Sequence, residues 1–182
     1  GKAAAAFEDV FEKELAGRDV WMSPWGALGY GVFAIGNKGV VLGKDEWMFT
    51  AEEFEHQKDG LQEEQKKSDL ISQVQQFLER RNILLVVALV PAKARVYPEY
   101  LDGVAFPAER EDVYSRFRSN LIERDIVAPD LYKVFLQAKD KMQLFMRTDT
   151  HWTPEGAGLA AQAVSNAVWR HCNSFSSEPI AY

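Results

Sequence analysis

Apolar residues recur along this chain in two different rhythms, and the change of rhythm divides it. Phe7, Val10, Phe11 and Leu15 return at three- and four-residue spacing before Gly17, the pattern of a short amphipathic helix with a glycine stop. Residues 21–39 are rich in aromatics and glycine. Trp25, Tyr30 and Phe33 are expected packing anchors, and five glycines argue against a regular helix. At 40–50, apolar runs flank Gly-Lys-Asp-Glu, which predicts a β-hairpin. Glu, Gln and Lys dominate 51–67, a solvated connection or exposed helix.

From Ser68 onward helical and strand patterns alternate. Leu70, Ile71, Val74, Phe77 and Leu78 form one helical face, with Ser68 as the expected N-cap. Residues 83–90 are apolar on both faces, as in a buried parallel strand. Val113, Tyr114, Phe117 and Leu121 predict a second helix, followed by a short strand at 125–128 and another at 144–147. From Thr153 to about His171, Leu159, Ala160, Ala163, Val164, Ala167 and Val168 share one face of a third helix. This order predicts an α/β layer on a parallel sheet. Residues 1–67 are expected to pack as an N-terminal appendage on a core of 68–182, together one structural domain.

Composition excludes several function classes. In 182 residues, 21 Lys and Arg face 27 Asp and Glu, so no excess of positive charge is available for a nucleic-acid backbone. The longest apolar run is too short to span a bilayer. Cys172 is the single cysteine, which rules out an internal disulfide and a cysteine-built zinc site and leaves no base beside it to make it reactive. Because the chain starts at Gly1, any export signal or membrane anchor is expected to have been removed or left out.

In open α/β sheets, ligands gather beyond the carboxyl ends of the strands. Residues 91–97 and 147–156 meet that condition. Thr153, Pro154 and Glu155 form a helix start, with cap, proline and first-turn acid in order. Just ahead of it, Asp149 and His151 stand two apart, so an extended chain points both to one side. A carboxylate there fixes the imidazole's tautomer and leaves the other ring nitrogen free as a base. A surface pair with no chemistry has the same spacing. A metal site is disfavoured because the other histidines, His56 and His171, are poor co-ligands. His171 lies some 30 Å along the following helix. Beyond the first strand, Lys93, Arg95 and Tyr97 are candidates to meet an anionic polymer, and Lys93 is equally a candidate to pair with a nearby acid. Arg147 and Trp152 flank the pair, Trp152 either stacking on a sugar or filling the core; Trp21, Trp25, Trp47 and Trp169 are assigned to packing.

Three segments carry a family resemblance: Gly-Lys-Asp-Glu-Trp-Met-Phe-Thr at 43–50, Val-Pro-Ala-Lys-Ala-Arg-Val-Tyr-Pro-Glu at 90–99, and Thr-Asp-Thr-His-Trp-Thr-Pro-Glu-Gly-Ala at 148–157. In this order they resemble the alginate O-acetyltransferase family of the AlgJ/AlgX type, and the stretch from Trp25 to Phe54 is closer to the AlgJ branch. Glu46 and Met48 depart from the family's Gly-Lys-Asp-Gly-Trp-Leu-Phe.

The resemblance implies an SGNH-hydrolase-like, flavodoxin-like three-layer sandwich with a parallel central sheet, here incomplete at its C-terminal side. It implies a periplasmic enzyme that acetylates mannuronate hydroxyls of alginate through a Ser-His-Asp triad, with Asp149 as acid and His151 as base. No cofactor, organic or metallic, is implied. Expected partners are alginate, an acetyl donor, other proteins of the acetylation complex and a membrane tether through a removed N-terminal segment. The family's serine lies downstream in a Gly-Thr-Ser-like turn, and no serine here matches it. Ser165 falls inside a helix pattern, and Ser174, Ser176 and Ser177 lie in a polar tail. The nucleophile is therefore expected outside this chain. The rivals are a non-catalytic scaffold or polysaccharide-binding module and an acetylesterase.

Overall fold

The computed structural model describes residues 39–55 and 59–175. The chain divides into two units, Gly1–Lys38 and Gly39–Tyr182, and all described residues belong to the second. The helix expected around Phe7–Leu15, most of the aromatic-glycine stretch with Trp21 and Trp25, His56, and the side chains of Ser174, Ser176 and Ser177 lie outside the described residues.

The hairpin forms where the pattern put it. β1 (Val40–Leu42) pairs antiparallel with β2 (Met48–Thr50), Val41 opposite Phe49. A single 3₁₀ turn, Lys44–Glu46, joins them and holds Asp45 and Glu46 at φ of 52° and 63°. Gly43 precedes the turn because there is no room for a side chain: a Cβ there would lie 2.3 Å from the carbonyl oxygen of Tyr100. Phe49 and Trp47 are buried, and Trp47 stacks on Tyr100 with ring centroids 4.4 Å apart.

α1 (Gly60–Glu79) begins eight residues ahead of Ser68. The charged run thus supplies its first two turns, and the cap expected at Ser68 is instead a buried mid-helix hydroxyl bonded back to the Glu64 carbonyl at 2.9 Å. Ile71 packs inward, but Leu70, Val74 and Phe77 face out, at 61%, 43% and 55% exposure. Polar contacts from residues 116 and 124, distant in sequence, hold this rotation. Arg116 grips Glu64 through two nitrogens at 3.0 and 2.8 Å, and Arg124 reaches Asp69 at 2.8 Å and Ser72 at 3.1 Å.

Residues 83–90 do not form the doubly buried strand that was expected. One parallel bridge, Val86 to Val127, ties this segment to 125–128. Val87 and Leu89 pack on the cluster of Leu121, Ile126 and Ala128, while Ile83 and Val90 are half exposed. Burial on both faces is not reached: the backbone bridges one neighbouring segment, at Val127, and the Leu89 carbonyl accepts from the Tyr114 hydroxyl at 3.3 Å. Likewise 144–147 is no parallel strand: Phe145 bridges Trp152 in antiparallel sense. Among the described residues the regular sheet is the β1–β2 hairpin.

α2 (Lys93–Val96) follows Pro91, and α3 (Val113–Ile122) buries Tyr114 and Leu121 as read. α4 (Leu131–Ala138) lies in a stretch for which no element was predicted. Its signal is local: Asp130 caps it by accepting from the Lys133 amide at 3.0 Å, and Leu131 and Phe135, four apart, are fully buried. α5 (Pro154–Phe175) lies against α4 and buries Ala160 and Ala167. Trp169 is 69% exposed, contrary to the packing role assigned to it. The main core gathers Trp47, Phe49, Val96, Tyr97, Leu131, Phe135, Leu144 and Phe145, so hairpin, α2, α4 and the start of α5 meet around residues 144–153.

Candidate active site

The segment that carries Asp149 and His151 is a short closed loop. The Thr153 amide donates to the Leu144 carbonyl at 2.9 Å and the Met146 amide to the His151 carbonyl at 2.9 Å, so both ends of the loop are tied across the Phe145–Trp152 bridge. Beyond it, Thr153 caps α5 as read: its hydroxyl accepts from the Gly156 amide at 3.1 Å and donates to the Gln143 carbonyl at 2.6 Å. Gly156 fits because a Cβ would lie 2.2 Å from the Leu144 carbonyl oxygen. The helix start is thereby pressed onto the first residue of the loop.

At the loop's rim, the two expected groups meet. Nδ1 of His151 lies 2.6 Å from Oδ1 of Asp149, and the same oxygen accepts the His151 backbone amide at 3.0 Å. Hydrogen bonding from His151, first the ring and then the amide, holds the Asp149 carboxyl below its ordinary value. In the neutral imidazole, an ionised acceptor at Nδ1 favours the tautomer with the proton on that nitrogen and the lone pair on Nε2. The imidazole side chain is 76% exposed, so Nε2 opens to solvent. An oriented imidazole with a free, accessible nitrogen can accept a proton from a hydroxyl.

Of the neighbouring candidates, Lys93 and Tyr97 are buried and Arg95 is partly so. Lys93 is 2% exposed, and its ammonium donates to the carbonyl oxygens of Met48, Met146, Arg147 and Asp149 at 2.7, 2.5, 2.9 and 2.9 Å. Arg95 donates to the Arg110 and Glu111 carbonyls and lies 4.9 Å over the Phe106 ring. Tyr97 is buried, and its hydroxyl accepts the Leu144 amide at 2.9 Å. All three were candidates for a polymer, and their polar groups are engaged by the protein's own backbone; a position after a strand end does not distinguish an inward from an outward cation. Arg147 is 45% exposed and donates to the Asp45 carbonyl at the hairpin tip. Trp152 is half-buried against the main core.

Several serine hydroxyls are likewise engaged by backbone carbonyls. Ser68, Ser72 and Ser115 bond carbonyls of their own helices, and Ser165 lies on the exposed side of α5, about 16 Å of helical rise from its start. Among the described residues no three His, Cys, Asp or Glu side chains converge as a metal-ligand set, and no helix is long and apolar enough to cross a membrane.

Residues 40–180 match the family described as the SGNH hydrolase-like domain of the acetyltransferase AlgX. The chain belongs to this SGNH hydrolase-like family. The relatives point to one branch of it. A probable alginate O-acetylase AlgJ of Pseudomonas putida is 41% identical over 183 residues, covering all of this chain and 47% of the relative. Its counterpart in Pseudomonas aeruginosa is 43% identical over 168 residues, 92% of this chain and 43% of the relative. The chain thus spans less than half the length of these relatives. Among solved structures, the O-acetyltransferase domain of Pseudomonas putida AlgJ superposes with a TM-score of 0.71 at 45% identity, over 74% of this chain and 48% of that one. Pseudomonas aeruginosa AlgX shares the fold, with a TM-score of 0.52 at 24% identity over 72% of this chain and 32% of that one. The SGNH-like α/β fold expected from the three segments is therefore that of the family.

Proposed function

We propose that this chain is the part of a periplasmic alginate O-acetyltransferase that supplies the acid and base of a catalytic triad. One observation carries the reading: the 2.6 Å contact between Asp149 and His151 at an exposed rim, with Nε2 free. The AlgJ relatives, which are named as probable alginate O-acetylases, supply the substrate class.

In this mechanism Nε2 of His151 takes the proton of a serine hydroxyl as the serine oxygen attacks the acetyl carbonyl of the donor. The imidazolium returns that proton to the departing donor group, which leaves an acetyl ester on serine. A mannuronate hydroxyl then gives its proton to His151 and attacks the ester, and serine leaves with the proton restored. Asp149 stabilises the transient imidazolium in both halves. The serine belongs to no described residue of this chain. Arg147, partly exposed beside the loop, is suited to a uronate carboxylate. Other acetylation-complex proteins and a membrane tether complete the proposed setting.

Hydrolysis of 4-nitrophenyl acetate by the intact protein, together with mass spectrometry of an added mannuronate oligomer, tests the reading. His151→Ala is expected to lose about a thousandfold in turnover while keeping its circular dichroism spectrum. Each transfer adds one acetyl group to the oligomer. Undiminished turnover in His151→Ala removes the base from this mechanism. Release of acetate with no oligomer gain makes the enzyme an esterase.

A further inference from the structure

Among the described residues Lys93 is the one buried cation, and it sits where the catalytic loop, the hairpin and α2 meet. Its four carbonyl partners exceed its three N–H donors, so at least one bond is shared. Three of these carbonyls, at Met146, Arg147 and Asp149, come from residues 146–151 between the bridged Phe145 and Trp152, and the fourth, at Met48, belongs to β2. Met48 is itself tied to the loop, its amide donating to the Arg147 carbonyl at 2.8 Å. The rings of Trp47 and Phe49 lie 4.9 and 5.3 Å from the ammonium and close the remaining side.

We propose that Lys93 is a positioning residue for the Asp149–His151 pair: its ammonium gathers the inward carbonyls of the loop and so fixes the backbone from which both side chains project. The proposal rests on the triad reading for its catalytic consequence, though not for its structural one. The physical ground is that converging carbonyl dipoles repel one another unless a cation lies among them. Asp149 is held twice, its carbonyl by Lys93 from inside and its carboxylate by His151 outside. Without the ammonium, Met146, Arg147 and Asp149 each gain by turning a carbonyl to water, and each such rotation swings the carboxylate away from the imidazole. Two carboxylates face the cation from other directions: Glu53, which accepts the Ala94 amide at 2.7 Å, and Asp149 itself. Burial lowers the ammonium to about 8, while Glu53 and then Asp149 pull the other way, so at neutral pH it remains charged.

Lys93→Met tests this in the intact protein. Methionine keeps the unbranched stem between Trp47 and Phe49 but leaves the four carbonyls without their donor, so Lys93→Gln, which retains an N–H donor, is made beside it. Backbone hydrogen–deuterium exchange and 4-nitrophenyl acetate hydrolysis are measured together. The amides of Met48, Met146 and His151 are expected to lose about tenfold or more in protection while α3 and α4 stay within about twofold. Turnover number is expected to fall at least about tenfold with KM within about twofold, because the ground-state ester does not touch Lys93. Lys93→Arg, which keeps a cation, is expected to recover part of both. Unchanged loop protection with unchanged turnover overturns the proposal. So does a loss of protection spread evenly over every helix, or failure of both Lys93→Met and Lys93→Gln to fold, since each assigns Lys93 to general stability. Should His151→Ala retain turnover, the triad reading fails by itself, and the exchange data still decide whether Lys93 orders the loop.

Discussion

Glu46 carries a side chain where the backbone at φ 63° suits none. For an L-residue with a Cβ this left-handed conformation costs roughly 1–2 kcal/mol. One contact could offset it, but it is weak: the Glu46 carboxylate lies 4.0 Å from Arg147, and both groups reach solvent. Exposed pairs of that kind contribute about 0–1 kcal/mol. Strain therefore outweighs attraction, and Glu46→Gly is expected to raise stability by roughly 0.5–1 kcal/mol in urea unfolding. A lower urea midpoint would mean that the ion pair wins. The same comparison explains why the related Gly-Lys-Asp-Gly-Trp-Leu-Phe pattern has glycine at this point: the turn asks for a residue without a Cβ. Arg147 keeps its stronger attachment to the hairpin in the variant, since that bond ends on the Asp45 carbonyl.

For the elements, the start of α5 governs the loop ahead of it. Gly156 allows the first turn to press on Leu144, whose carbonyl also receives the Thr153 amide that closes the loop. Gly156→Ala places a methyl carbon 2.2 Å from that oxygen, so helix or loop must move. Destabilisation of about 1–3 kcal/mol is expected from calorimetry, against the usual helix-propensity gain of replacing glycine by alanine. An unchanged melting temperature would show that the contact relaxes freely.

This helix start was legible in the sequence because cap, proline and acid are local signals, and so were the hairpin and the Asp-x-His spacing. The rotation of α1 was not. Ile71 belongs to a stripe that packs, and Leu70, Val74 and Phe77 to one that does not, yet both follow helical spacing. Which stripe turns inward depends on Arg116 and Arg124 some fifty residues away. The strand at 83–90 failed for a related reason: apolar composition reports what a segment tolerates, whereas pairing depends on distant neighbours. Lys93 was legible as a residue near a strand end, and only the fold reveals that it points into a ring of carbonyls.

At the scale of the whole molecule, the buried ammonium links folding to pH. Its value of about 8 in the folded chain lies below the ordinary 10.5, so between these limits the unfolded chain holds more protons. Stability contributed at this site therefore rises with pH across that window: burying the charge is costly below about 8, and the cost fades as the unfolded chain also loses its proton. In urea unfolding at pH 7.5 and pH 10, the stability of the natural chain relative to Lys93→Met is expected to shift in favour of the natural chain at the higher pH. Other titrating lysines and tyrosines cancel in this difference. A shift in the opposite sense would mean that the carbonyls and carboxylates around the ammonium outweigh its burial.

Many carbonyl-lined loops owe their form to a dissolved ion that comes and goes with the medium. Here the positive charge is tethered by covalent bonds to the same polypeptide, so neither dialysis nor a chelator can strip it out. The charge that shapes the loop is inherited with the gene, and of the solutes around it only the proton changes it.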